Sequence, residues 1–268
     1  EFSKVQMIIF LAKMYTILRE KMDRFWVLLL TGILMGIPTF LILIQTNLST
    51  SLVMLFIFVI MIFAAGLSYK IILPILLVGI PLIIGLFWYV QQDFQVILTN
   101  YQQKRVIAFL NPESEASADT LYQQGNSLQV IGSGKLTGKL LTEGIESIEG
   151  DTYVPISESD FIFSILGEAF GFIGACVIIF LLAILIFQCL KIARNAPDRL
   201  GMLIATGIAA MFMFQVFVNI GVTTALLPNT GLPLPFVSYG LSSLMSCMIA
   251  IGLVLNINLQ RKRKGGNT

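Results

Sequence analysis

Histidine is missing from all 268 residues, and cysteine occurs only three times, at Cys176, Cys189 and Cys247, each inside an apolar run. With no imidazole and no Cys-x-x-Cys spacing, a transition-metal site is not expected. Thiols in such surroundings should behave as small hydrophobes, not as disulfide partners or reactive thiolates. Charge is scarce as well: Asp, Glu, Lys and Arg make up 12% of the chain, against roughly a quarter in soluble domains. That poverty excludes an ordinary soluble core. No internal repeat of the inverted-transporter kind is visible, and the opening Glu1-Phe2-Ser3-Lys4 reads as the middle of a motif, with neither an initiator Met nor a signal peptide before it.

What is present is hydrophobicity, 56% of residues with a mean hydropathy of +0.87, gathered into long blocks that suit bilayer spans. The sequence predicts an all-α, polytopic membrane protein. Residues 5–18 form an apolar helix of about 21 Å at 1.5 Å per residue, too short to cross a hydrocarbon core of about 30 Å. Spans are expected at 25–44, 52–69, 71–90, 161–189, 200–227 and 234–255. Gly32, Gly36 and Pro38 in the first of these suggest a bend and close helix packing. Alternating these spans puts twelve of the seventeen Lys and Arg on one side, including Arg261, Lys262, Arg263 and Lys264. By the positive-inside tendency that side, with the C-terminus, is cytoplasmic. The chain thus divides into transmembrane helices over 1–90, a large extracytoplasmic loop over 91–160, further spans over 161–260 and a basic tail over 261–268.

The loop holds ten acids against four bases, a net charge of −6, and must lie in water. Within it, residues 100–110 have Val106, Ile107, Phe109 and Leu110 beside Lys104 and Arg105, a pattern that suits a short interfacial helix. Gly132, Ser133, Gly134 and Gly138 suggest a flexible stretch, with no strand alternation around it.

Candidate chemistry gathers at the loop's edges. Asp160 stands where polar sequence meets Phe161-Ile162-Phe163, and a half-desolvated carboxylate makes a better base than a free surface acid. The plainer reading is an N-cap for the following helix, and the two are compatible. Glu168, two turns further into the span, is a functional group or half of an ion pair, because an ionisable side chain at that depth is costly. Arg105 and Lys104 suit an anionic phosphate, if they are more than solvated loop bases. The segment 227–240 carries Pro228, Pro233 and Pro235 and cannot be a plain helix. Near membrane depth such backbone needs protein or a watery cavity around it, so a broken or re-entrant segment is expected.

These residues resemble the SEDS family (shape, elongation, division and sporulation). Its P-x-T-G-x-P-L-P-F-x-S-Y-G signature stands at residues 228–240, followed by Ser242 and Ser243. Tyr153, Pro155 and the run Asp160 to Phe163, then Gly167-Glu168 and Gly171, match a second motif. Arg105, residues 109–112, Tyr122-Gln123, Ser127 and residues 131–134 match the family's large loop, and Phe2-Ser3-Lys4 the interior of its Pro-Ser-Glu-Phe-x-Lys segment. The chain departs from the family pattern at Asn47, Ser49, Thr152, residues 156–159 and Leu241.

The resemblance implies a fold of about ten membrane helices, of which this chain would supply the later ones. It also implies a peptidoglycan glycosyltransferase that polymerises lipid II at the outer face of the bacterial cytoplasmic membrane and releases undecaprenyl pyrophosphate. Asp160 would be the general base on the acceptor hydroxyl. Arg105 and Lys104, with a divalent cation such as Mg or Mn, would hold the leaving group. Gln123, Ser133, Glu168, Pro228, Thr230, Ser238 and Tyr239 would bind substrate, and a class B penicillin-binding protein would be the partner. No nucleic-acid partner is expected. Two other readings remain open at this point: a flippase or transporter of lipid-linked precursors, and a non-catalytic scaffold for a cell-wall transpeptidase. Transporters place charge at the midplane, whereas Glu168 lies about 10 Å in at most, which favours surface chemistry.

Overall fold

The computed structural model describes residues 1–22, 24–45, 47–67, 118–142 and 160–265, with isolated positions between them. The expected spans at 71–90 and interfacial helix at 100–110 lie essentially outside the described residues. Every regular element among the described residues is helical. In order these are α1 (Phe2–Ile17), α2 (Phe25–Ile44), α3 (Leu48–Ala64), α4 (Ala118–Ser133), the single turn α5 (Lys139–Thr142), α6 (Ile162–Arg194), α7 (Arg199–Thr223) and α8 (Leu241–Gly265). Four of them, α2, α6, α7 and α8, are long and apolar enough to cross a membrane, as the hydropathy blocks predict.

The chain forms two compact units. The first comprises Glu1–Thr99, Phe187–Phe212 and Ser246–Thr268. Here α3 packs on both α1 and α2, and Gly207 of α7 lies against Ile8 of α1 and Met61 of α3. Helix α2 contains Pro38, and its threonine hydroxyls stay satisfied by donating one turn back, Thr31 to the Val27 carbonyl at 2.8 Å and Thr39 to that of Met35 at 2.7 Å. Helix α3 starts four residues before the expected span because the Asn47 side chain accepts from the Thr50 N–H at 3.1 Å, a working N-cap. Its other end is closed by Arg199, whose guanidinium donates to the Ala65 carbonyl. Asp198 in turn caps α7, accepting from the Gly201 N–H at 2.7 Å.

The second unit comprises Asn100–Ile186 and Met213–Met245. Its core joins Phe163, Ala175 and Leu182 of α6 to Leu234, with Val216 and Ile220 of α7 and Ile131 of α4 packed against them. Two expectations change here. The last span starts at Leu241, not at 234, because the proline-rich segment runs without helix to Gly240, with Phe236 in the left-handed region at φ 65, where a right-handed helix cannot continue. The stretch around 132–138 is not flexible: α4 extends through Gly132 to Ser133, and the turn after it is pinned against α6. Helix α6 breaks at Gly171 (φ 66, ψ −168), which releases N–H groups from the helical ladder. Phe172 donates to the Lys135 carbonyl at 2.9 Å and Ile173 to that of Leu136 at 3.2 Å, so the break is filled by the α4–α5 turn.

Candidate active site

Asp160 sits in the turn before α6, half-exposed, with Phe161 buried behind it. Because α6 begins at Ile162, the carboxylate stands one position earlier than the residue that directly precedes the helix. Its backbone is fixed from α7, where Asn219 donates its amide to the Asp160 carbonyl at 2.9 Å and to the Leu232 carbonyl at 2.7 Å. The proline-rich segment is thereby tied to the same point as Asp160.

That segment is irregular over residues 224–240, as its prolines require. Three residues lie in the left-handed region, Ala225 (φ 55), Gly231 (φ 73) and Phe236 (φ 65), and for the bulky Phe236 that is a strained conformation, stable only where its surroundings impose it. Ser238 imposes part of it. Its hydroxyl oxygen accepts from the Leu234 N–H at 2.7 Å while its own N–H donates to the Leu234 carbonyl at 3.0 Å. Ser238 is buried in this reciprocal turn, and the next residue, Tyr239, is 80% exposed. Together Ile162, residues 236–241 and Leu244 line an open cavity of about 940 Å³. Most of those side chains are apolar, and Ile162 is two residues from Asp160.

Helix α4 braces this region from its polar side. Gln124 donates to the carbonyls of Val222 at 3.0 Å and Leu227 at 2.8 Å, and Ser127 donates to that of Thr223 at 2.9 Å. These carbonyls lie at the C-terminal end of α7 and just beyond, where helical donors run out. Gln123 accepts from the Asn229 amide at 3.0 Å, which couples it to the neighbours Pro228 and Thr230. Glu168 lies 5% exposed within two turns of the α6 start. It forms an ion pair with Lys139 at 2.6 Å and accepts from the Ser133 hydroxyl at 3.3 Å, so the depth argument for a partner holds. Ser133 and Glu168 are therefore brought together, as are Gln123 with the 228–230 turn and Asp160 with the proline-rich segment. Arg105 and Lys104 lie outside the described residues. Among the described residues, no three of His, Cys, Asp and Glu converge as ligands for a metal ion.

Three supporting residues escaped the sequence reading: Asn219, Gln124 and Lys139. For Asn219 a signal existed, since Gln215, Asn219 and Thr223 recur every fourth residue along one face of an otherwise apolar span.

Four described helices long and apolar enough to cross a bilayer, with a half-exposed Asp160 two residues before the cavity-lining Ile162, define a multi-pass membrane protein. The FtsW/RodA/SpoVE model for cell cycle proteins matches residues 1–263, and the chain belongs to that family, as its resemblance to SEDS proteins implied. Stage V sporulation protein E of Bacillus subtilis is 36% identical over 259 residues, covering 96% of this chain and 67% of its own length. A probable peptidoglycan glycosyltransferase FtsW of Trichlorobacter lovleyi is 36% identical over 263 residues, covering 96% of this chain and 65% of its own. Among solved structures, one chain of a peptidoglycan synthase complex that coordinates polymerization and crosslinking superposes with a TM-score of 0.76 at 28% identity, over 96% of this chain and 68% of that one. The chain thus spans about two thirds of the length of these relatives.

Proposed function

We propose that this chain is the catalytic membrane core of a peptidoglycan glycosyltransferase, that it polymerises lipid II, and that Asp160 is its general base. The observation that carries the reading is the juxtaposition of the half-exposed turn at Asp160 with the cavity lined by Ile162, Tyr239 and Leu244. A lipid-linked sugar needs both, water-facing chemistry for the head and apolar wall for the tail. The acceptor sugar hydroxyl loses its proton to the Asp160 carboxylate as its oxygen bonds to the donor's anomeric carbon. The carbon–oxygen bond to pyrophosphate breaks, and that electron pair leaves with undecaprenyl pyrophosphate.

Ser238 acts by holding the turn that presents Tyr239, and Gln123 by steadying the 228–230 turn. Glu168 and Ser133 act from the buried cluster with Lys139. Lys104 and Arg105 would contact the pyrophosphate. The described residues do not by themselves build a divalent-cation site; a bound Mg or Mn ion would need further ligands from outside them or from the pyrophosphate itself. The acidic loop faces the extracytoplasmic side and the C-terminus the cytoplasm, by the distribution of Lys and Arg. The partner is a transpeptidase, a class B penicillin-binding protein, in keeping with the polymerization and crosslinking named for the superposable complex.

The test is lipid II polymerisation by the whole protein with its transpeptidase, wild type against Asp160→Ala. Loss of glycan strands in the variant, about 100-fold or more, is the expected result for a general base. Normal polymerisation by the variant would remove Asp160 from that role. Lipid crossing the bilayer with no polymer from either form would replace the enzyme reading by transport.

A further inference from the structure

Asn219 stands out among the buried polar groups because both amide protons are committed to backbone and nothing is committed in return. It is 1% exposed. Two carbonyl oxygens, of Asp160 and Leu232, approach it at 2.9 and 2.7 Å; each demands a donor, so the nitrogen must face them. The amide oxygen is then left buried without a hydrogen-bond partner among the described residues. Chemistry with one donor, or with a carboxylate, could not bridge the two segments in this way. The bridged carbonyls belong to segments 72 residues apart, the turn bearing Asp160 and the proline-rich segment that lines the cavity.

Asn219 is itself held in place. The Thr223 hydroxyl donates to its carbonyl at 3.0 Å, and the Thr223 carbonyl accepts from Ser127 of α4. We propose that Asn219 is a positioning residue: its two-donor clamp sets Asp160 relative to the proline-rich segment, and so sets the base relative to the bound sugar. This deepens the reading above and rests on Asp160 being the base. The side chain reaches backbone only, so it acts through Asp160 and not on substrate.

The clamp makes activity depend on the number of donors at position 219. In the whole protein with its transpeptidase, Asn219→Ala and Asn219→Asp, which cannot donate to either carbonyl when ionised, are expected to lower kcat for lipid II about 10- to 100-fold, with KM within about twofold of wild type. Asn219→Ser, with one donor, should fall between. Hydrogen exchange should quicken in the peptides that contain Asp160 and Leu232 and stay unchanged in those from α2 and α3. Equal kcat in all variants, or a rise in KM at constant kcat, would overturn the proposal. If the Ala and Asp variants fail to accumulate in the membrane, the kcat of Asn219→Ser against wild type decides the same question. An active Asp160→Ala control would instead sink the base assignment, whatever the Asn219 variants do.

Discussion

Helices α6 and α7 look alike as sequence, both apolar and both long enough to span, yet they are used in opposite ways. Only 17% of the most apolar stretch of α6 is buried, against 61% for α7. Beyond its break α6 exposes Phe172, Ile173, Val177, Phe180, Leu181 and Phe187, a surface with nothing to hydrogen-bond. Helix α7 instead buries Gln215, Asn219 and Thr223 and turns the last two toward α4, Asp160 and the proline-rich segment. In a bilayer, apolar burial between helices gains little, because lipid tails are as apolar as leucine. What distinguishes a structural helix there is its polar groups and their partners. On this view α6 is specific only near its start, where Gly171, Glu168 and Asp160 lie, and α7 is specific towards its C-terminal end.

The break in α6 is where this contrast can be broken hardest. A Cβ at Gly171 would run into the Gly138 nitrogen and the Leu136 carbonyl, and its φ of 66° is one that β-branched residues avoid. Gly171→Val should lose more than about 4 kcal/mol, the range of severe mutants, seen as failure to accumulate in the membrane or as a collapsed melting transition in detergent. A helix continuous through 171 would tolerate the same change.

The ion pair in the same region comes next. Lys139→Met leaves the Glu168 carboxylate buried and unpaired by charge. The cost is about 3 kcal/mol, at the lower end of the range for breaking a buried pair, because the two side chains keep 14% and 7% exposure. The double variant Lys139→Met with Glu168→Gln should recover much of that loss. Melting of the two singles and the double closes a mutant cycle, and strictly additive losses would mean that the pair is not coupled.

The contrast also explains what was legible in the sequence. Spans announce themselves by composition, so α2 was found with its observed ends. The prolines at 228, 233 and 235 forced irregular backbone wherever the segment lay. Asp160 and Glu168 were visible as charges next to apolar runs. Helix α4 was not, because the face it buries is Gln124, Ser127 and Val130, and a search for apolar periodicity passes over a helix whose core-facing side chains are amides and hydroxyls. Its glycines then looked like slack. In the fold Gly134 is where the chain comes so close to α6 that a Cβ would overlap the Gly167 carbonyl, a constraint that depends on a partner about 30 residues away and leaves no local trace. The two-donor role of Asn219 was hidden for the same reason, since its acceptors are main-chain carbonyls with no identity in the sequence.

The smallest effect belongs to the bare face of α6. Phe180 is 65% exposed and projects from a stretch of the helix long enough and apolar enough to lie in lipid. Phe180→Leu exchanges one apolar side chain for another where hydrocarbon can fill the difference, so no cavity forms and no donor is orphaned. Melting should move by no more than the equivalent of about 0.5 kcal/mol, the range of ordinary surface changes, and polymerisation should be unchanged. A larger loss of stability would show that α6 carries packing specificity along its whole length and not only around its break. A loss of activity with stability intact would mean that the face is a contact surface, so the contrast with α7 would then lie in what each helix binds and not in whether it binds.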